Sequence, residues 1–330
     1  MKMRRRLNAA VKNVLSPFRK HNKYLKAAVL LSAAIFSFSC TTVSIQDEVS
    51  SNSQLLPEES NIVIKADLEP NKELVNSVVA AIDSPSVTNI QKKFLNRTDS
   101  VWAGITLDET SEGTDSFNGS FIFEGRYPSS IISIGMANDS WTKDYFVSES
   151  ESTKRLKYWK EKEGNIQVAV PQNDLLCVST GNIDKICYSI LERDYTPVSS
   201  EWLNFERNSD IAIMVKNLEP QQFASFVPEF KKIPLESVFL SMRKIQSSYD
   251  ITGIFHMENE INAALFTALF KIMVLSAKTE TGEKMFKDRK AVNIEKKGKD
   301  VVVTGMLLPT ETITSIVINW CNQAEILPVN

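Results

Sequence analysis

The sequence predicts an α+β protein built from two tandem repeats, each an antiparallel sheet with amphipathic helices packed on one face. Three observations support this prediction. Short apolar strand patterns alternate with longer helical patterns along most of the chain. The tripeptide Leu-Glu-Pro occurs at 68–70 and again at 218–220, each time shortly after a strand pattern. Further segments then recur in the same order, which is hard to obtain by chance.

The predicted first repeat covers residues 59–196. Leu74, Val78 and Ile82 recur at intervals of four residues, so they lie on one side of a predicted helix at 70–83. Strands are expected at 62–64, 101–107, 117–124, 158–161, 166–170 and 175–179, and further helices at 129–136 and 183–191.

The predicted second repeat covers residues 208–325 and begins with a strand at 211–215. Residues 251–258 match 117–124 at an offset of 134 residues, and at the same offset the glycine-containing turn at 295–299 matches the turn at 161–165. The isoleucines at 313 and 316 match those at 183 and 186 at an offset of 130. A linker at 197–207 separates the repeats, and residues 326–330 form a tail.

Two helices of the second repeat carry apolar stripes. One is expected at 220–230, and the other at 261–277 is the most apolar stretch outside the N-terminal region. The latter is either the central core helix of its repeat or a helix whose surplus apolar face enters a bilayer interface or a partner's groove. With the stripe of the helix 70–83, these helices supply the membrane-contacting candidates: Leu74, Val78, Ile82, Phe223, Phe226, Phe230, Leu265, Phe266, Leu269, Phe270 and Met273.

The N-terminal region has the order of an export signal. Nine lysines and arginines and no acidic residue occur within residues 1–39, and an apolar run at 27–38 follows the last of them. The run is 12 residues long, whereas a membrane-spanning helix needs about 20. We therefore expect a cleaved signal at 1–39 rather than a permanent membrane span.

Cys40 directly follows this run. The segment Ser37-Phe38-Ser39-Cys40 resembles a relaxed bacterial lipobox of the kind found in spirochaetes, although the usual leucine and the usual alanine or glycine are replaced by serines. The resemblance implies that Cys40 becomes the acylated N-terminus. An ordinary signal peptide cut near Ser39 is the alternative. Residues 40–58 are then the lipidated cysteine and a flexible polar tether, and Thr41, in place of Asp, is compatible with passage to the outer membrane.

The charge of the expected mature chain argues against nucleic acid as a partner. Removal of residues 1–39 leaves 29 basic and 40 acidic residues. Proteins that bind phosphate backbones need clustered lysine and arginine. The acidic balance also disfavours attraction to anionic lipid by net charge alone.

The sequence predicts no catalytic residues, no metal site and no cofactor. It lacks HExxH, GxSxG, Gly-rich phosphate-loop and EF-hand patterns. His256 is the single histidine beyond the signal, and with Glu258 it could form an acid–base pair, but a lone imidazole is more often structural. Cys177, Cys187 and Cys321 lie among apolar neighbours and are expected to be buried free thiols.

A spirochaete-type lipobox, a tandem α/β module and several amphipathic helices together resemble a treponemal outer-membrane-associated lipoprotein family. The resemblance implies an α/β/α body whose amphipathic helices contact the membrane, and it transfers no catalytic residue. We therefore expect a non-enzymatic exported lipoprotein on the periplasmic face of the outer membrane, which contacts membrane lipid or an apolar ligand. The alternative is an envelope protein-binding or scaffold lipoprotein.

Overall fold

The computed structural model describes residues 50–81, 96–109, 115–217, 235–276 and 291–323. Within them the chain forms twelve strands and six α-helices. The strands are β1 (Ile62–Asp67), β2 (Thr98–Glu109), β3 (Asp115–Gly125), β4 (Trp141–Val147), β5 (Arg155–Glu161), β6 (Gln167–Gln172), β7 (Leu175–Ser179), β8 (Ile211–Lys216), β9 (Leu235–Ile245), β10 (Ser248–Met257), β11 (Asn293–Lys297) and β12 (Asp300–Pro309). The helices are α1 (Lys72–Ala81), α2 (Ser129–Gly135), α3 (Asp184–Glu192), α4 (Ser200–Arg207), α5 (Glu260–Ser276) and α6 (Thr310–Gln323).

All twelve strands belong to one antiparallel sheet, in the order β11-β12-β10-β9-β8-β1-β2-β3-β7-β6-β5-β4. At its centre β1 of the first half pairs with β8 of the second, with Ile64 opposite Ile213. The prediction of a separate sheet in each repeat is therefore wrong, although the antiparallel pairing is confirmed. In separate sheets these two apolar strands would be edges with unpaired backbone groups, and their pairing removes both edges.

Helices cover both faces of the sheet, so the prediction that they occupy one face is also wrong. We call face A the face that carries Ile64 and Ile213, and face B the face that carries Val63 and Met214, because side chains alternate along a strand. Helices α1, α5 and α6 pack on face A of the second half and α2 on face A of the first half. Helices α3 and α4 pack on face B.

The predicted linker at 197–207 contains a helix, α4, whose inner side is buried. Ser199 caps α4 by accepting the backbone N–H of Trp202 at 3.1 Å. Trp202 is fully buried and Phe205 is 8% exposed, and both belong to the face B core that also contains Met214. Only two apolar residues three positions apart reach the core from this short helix, so its pattern does not stand out in the sequence.

The flexible tether predicted at 40–58 is ordered over its described part. Residues Asn52–Leu55 form a 3-10 helix, and Ser51 with Gln54 forms a capping box at its start. Leu55 and Leu56 are 0% and 1% exposed in the face B core. The tether prediction is therefore wrong for residues 51–56, because two leucines give this polar segment enough apolar area to be fixed on the sheet.

A buried carboxylate holds this N-terminal segment to the rest of the fold. Glu206 in α4 is 5% exposed and accepts hydrogen bonds from Ser51 Oγ, from Ser53 Oγ at 3.1 Å and from Trp102 Nε1 at 2.7 Å. Trp202 Nε1 donates to Ser53 Oγ at 3.0 Å. The network thus joins the segment at 51–55, strand β2 and helix α4.

Strands β4 and β9 were not predicted. Residues 142–145 of β4 are exposed because β4 is an edge strand, and they show no apolar alternation. The hairpin turn at 295–299 is confirmed: β11 and β12 pair across it, and Gly298 has a φ of 63°, which favours glycine. A second glycine, Gly305 with a φ of 72°, lies in a bulge that moves Met306 and Leu308 onto face A.

Candidate membrane-contacting surface

Helix α5 is attached to face A by an aromatic cluster. Phe266 is fully buried and Phe270 is 9% exposed. Their rings lie 4.7 and 5.6 Å, centroid to centroid, from the ring of Phe255 in β10, and 5.5 Å from each other. Ala263 and Val274 complete the buried side of the helix. Because aromatic side chains bury large areas, this side determines how α5 is oriented on the sheet.

The opposite side of α5 is apolar and exposed. Its only charged residues are Glu260, at the start, and Lys271. The smaller residues Ala264 and Ala268 lie among the large ones and are also exposed. We call the outer stripe the set of large aliphatic residues on this side, which recur at helical spacing and are 40% to 74% exposed: Ile261, Leu265, Leu269, Ile272 and Leu275. Contiguous exposed apolar surface of this kind marks interaction sites.

The structure divides the predicted membrane-contacting residues into three groups. Leu265 and Leu269 are exposed in the outer stripe. Leu74, Phe266 and Phe270 are buried, and Val78 and Met273 pack against the same core. The prediction that Leu74, Phe266 and Phe270 present apolar surface to a membrane is therefore wrong, because these side chains belong to the core. The other candidates lie outside the described residues: Ile82, Phe223, Phe226 and Phe230. The predicted lipid-attachment residue, Cys40, also lies outside them.

Ile261, Ile272 and Leu275 of the outer stripe are not among the membrane-contacting residues predicted from the sequence. The sequence contains a signal for them, since each lies three or four residues from another large aliphatic residue of the same stripe. A helix that is apolar on every side has two equally good stripes, however, and spacing alone does not choose between them.

His256 lies between two carboxylates on face B, and neither is Glu258. Its Nδ1 is 2.8 Å from Asp300 Oδ1 in β12, and its Nε2 is 3.2 Å from Glu201 Oε2 in α4. The ring edge packs against Phe239, with centroids 5.4 Å apart. The two nitrogens point in different directions, so no single ion can contact the ring and both carboxylates. The hydrogen bond with Asp300 joins β10 to β12, whereas the Glu201 carboxylate in α4 lies close to Nε2 without a hydrogen bond.

The sequence model of the TP0453 family, described as an outer membrane-associated lipoprotein, matches residues 51–296, which is more than half of the chain. The chain belongs to this family. Membership places the protein in the cell envelope, in association with the outer membrane, and confirms the family resemblance inferred from the sequence. No curated protein sequence matches the chain.

Crystal structures of TP0453, a treponemal protein, have a similar fold. Crystal form III has a TM-score of 0.57 and 16% identity, over 81% of this chain and 97% of that one. Form IV has a TM-score of 0.56 and 16% identity over 84% and 100%, and form I a TM-score of 0.54 and 16% identity over 79% and 94%. At this identity the likeness concerns the fold.

Two features of the described residues concern membrane and metal binding. No helix among them is long and apolar enough to cross a membrane. No group of three or more histidine, cysteine, aspartate or glutamate side chains in the same part of the chain is arranged to hold a metal ion.

Cys177 in β7 and Cys187 in α3 are free and buried, as predicted, while the side chain of Cys321 is outside the described ones. Burial raises the pKa of the Cys177 thiol well above its usual value and that of Cys187 to about 12. Both thiols therefore stay protonated at neutral pH, and the thiolate is the reactive form.

We expect a maleimide to leave Cys177 and Cys187 unmodified in the native protein and to label both after denaturation. Peptide mass spectrometry distinguishes these sites from the other cysteines. Labelling of either thiol at native conditions faster than global unfolding would contradict the structure, because both side chains are fully enclosed.

Proposed function

We propose that the protein is a lipoprotein anchored on the periplasmic face of the outer membrane by lipid on Cys40, and that the outer stripe of α5 makes a second contact with the bilayer. The observation that carries the proposal is the outer stripe itself, with five large aliphatic side chains at one helix face. Complete burial of such a side chain contributes about 1.5–3 kcal/mol. Partial burial of these five side chains in a bilayer interface therefore contributes several kcal/mol to the free energy of binding.

A lipid on Cys40 would strengthen the contact made by α5. Only nine residues separate Cys40 from Ser50, where the described chain begins. Ten residue-to-residue steps span at most about 35 Å when fully extended. The body would thus remain at the membrane surface, and the outer stripe would bind without the translational cost that a free protein meets.

We also infer that the two halves are copies of one module. In each half the strands run outward from the centre in corresponding order, as β1-β2-β3-β7-β6 and as β8-β9-β10-β12-β11. Helices α2 and α5 follow corresponding strands and both pack on face A. The last helices differ, since α3 packs on face B and α6 on face A. By this order the hairpin β11-β12 corresponds to the hairpin β6-β7. The turn at 161–165, which the sequence matched to 295–299, instead joins β5 to β6.

The proposal assigns no catalytic activity. The His256 ring is oriented by its hydrogen bond with Asp300 and by its edge contact with Phe239. This arrangement supports a structural role for the imidazole.

The membrane contact is tested with the chain from residue 41, which lacks the lipid and keeps every contact described above. We expect this chain to co-sediment with phosphatidylcholine vesicles. Leu265→Gln with Leu269→Gln should weaken binding at least about tenfold, because two large side chains no longer enter the apolar interface. Ile245→Gln with Leu307→Gln is the matched control, since these residues are 45% and 52% exposed elsewhere on the fold.

Equal loss of binding in the control pair, or no vesicle binding by the parent chain, would overturn the membrane contact. The second result would leave the outer stripe to an envelope protein, the alternative predicted from the sequence. The anchor is tested separately by mass spectrometry of the mature N-terminus. An acylated Cys40 is expected, and an unmodified first residue would refute it.

A further inference from the structure

The exposed hairpin at the other end of the sheet carries cations around a tyrosine. Strands β4 and β5 pair with Tyr145 opposite Lys157 and Val147 opposite Arg155, and Lys143 lies two residues before Tyr145. By strand alternation these five side chains share face A. The Lys143 Nζ and the Arg155 Cζ each lie 4.9 Å from the centre of the Tyr145 ring.

The positive charges of this group act on one another. The pKa of the Lys157 amine is lowered, first by burial and then by repulsion from Lys143. The pKa of the Tyr145 hydroxyl is lowered chiefly by its hydrogen bond with Lys143, with Arg155 and Lys157 contributing. Neighbouring positive charge contributes to both shifts in pKa, after burial for Lys157 and after the hydrogen bond for Tyr145.

Nearby carboxylates do not neutralise these cations. Asp144 lies on the opposite face, where it accepts the Tyr158 hydroxyl at 3.1 Å. Glu151 pairs with Lys154 at 2.6 Å in the loop between the strands. Within the part of the chain that the structure describes, none of Lys143, Arg155 and Lys157 forms an ion pair with a carboxylate. Three cationic side chains thus lie close together on this acidic protein without an ion-pair partner among the described residues.

Apolar and amphipathic side chains accompany the cations. Val147 is 48% exposed and Tyr145 38%. Lys157 Nζ donates to Ser133 Oγ in α2 at 2.9 Å, and the next residue, Ile134, is 58% exposed. We call the cation–aromatic patch this set of residues: Ile134, Lys143, Tyr145, Val147, Arg155 and Lys157.

We propose that the cation–aromatic patch docks on the phosphate headgroups of an anionic lipid bilayer and forms a second membrane-binding site distant in the sheet from α5. The inference rests on the membrane contact proposed above. Lysine and arginine side chains near a membrane surface are attracted to anionic lipid headgroups. Tyrosine favours the headgroup level, where its polar tip meets water and its ring meets acyl chains. The exposed aliphatic residues enter the same boundary.

A bilayer fits the patch better than other polyanions. A long nucleic acid offers no apolar layer to the exposed side chains of Val147 and Ile134. A bilayer presents phosphates and hydrocarbon within a few ångströms of each other, which matches the side-by-side placement of cations and aliphatic side chains.

The test compares vesicles of phosphatidylcholine alone with vesicles that also contain phosphatidylglycerol, using the unacylated chain from residue 41 at low ionic strength. The parent should bind the anionic vesicles more tightly. Lys143→Glu with Arg155→Glu should lower binding to them about tenfold or more and leave binding to neutral vesicles unchanged. Lys160→Glu with Lys162→Glu is the control, because it makes the same change in net charge on exposed residues of the same region outside the patch.

Thermal unfolding verifies that both double variants are folded. The inference is overturned if the parent shows no preference for anionic vesicles, if both double variants weaken binding equally, or if millimolar inorganic phosphate abolishes the preference at constant ionic strength. The last result would identify a free phosphate as the ligand. Failure of the parent to bind neutral vesicles concerns α5, so the two proposals fail separately.

Discussion

Replacement of Phe266 by alanine is expected to lower the free energy of unfolding by about 3–5 kcal/mol, the usual cost of removing a buried phenylalanine. Phe266 is fully enclosed between α5 and the sheet, with ring centroids of Phe255 and Phe270 at 4.7 and 5.5 Å. The substitution loses this apolar contact and leaves a cavity that the sheet cannot close. Urea unfolding followed by circular dichroism measures the change.

The adjacent residue provides the control. Leu265→Ala on the same helix should change stability by less than about 0.5 kcal/mol, because Leu265 is 54% exposed. The same variant should weaken vesicle binding, whereas Phe266→Ala should act on stability first. If the two substitutions cost the same stability, the orientation of α5 described above is wrong.

Replacement of Glu206 by alanine is expected to cost about 2–4 kcal/mol. It removes the common acceptor of Ser51, Ser53 and the Trp102 indole in a site that is 5% exposed. Buried donors left without a partner carry the full desolvation penalty. Residues 50–58 should also become sensitive to limited proteolysis before the rest of the chain, since Glu206 attaches them to α4 and β2.

Two further variants sharpen this test. Glu206→Gln keeps one acceptor oxygen and should cost less than Glu206→Ala. In a double-mutant cycle, Trp102→Phe should be less costly in the Glu206→Ala background than alone, because the indole donor has already lost its acceptor. Additive effects, or unchanged proteolysis of residues 50–58, would show that the network does not hold the N-terminal segment.

This network has a consequence for the proposed anchor. The segment that leads from Cys40 joins the fold at the centre of the sheet, beside α4, which lies between the two halves. A force applied through the proposed lipid anchor would therefore act on the residues at the junction of the two halves.

The sequence predicted the elements with strong apolar patterns. Strand β7 was placed at 175–179 and has those bounds, and β8, β10 and α5 lie close to their predicted positions. These segments are buried on at least one side, and burial is what creates periodicity. The edge strand β4 and the helix α4 were missed, because an edge strand needs few apolar residues and α4 contributes two large ones.

Two features depended on contacts that no local pattern contains. One is the pairing of β1 with β8, two strands more than 140 residues apart in the sequence, which joins the two halves into one sheet. The other is the burial of Leu55 and Leu56, which a polar neighbourhood concealed. Both result from long-range packing that local propensity does not encode.

By itself the sequence determined the export signal pattern, the position of Cys40 after it and the apolar character of α5. Only the tertiary structure decided which side of α5 faces outward. The helix carries aliphatic residues on one side and phenylalanines on the other, so either could have met the sheet. The phenylalanines are buried because their rings pack at an angle against the ring of Phe255 in β10. The aliphatic side remains exposed and is the surface we propose for the membrane.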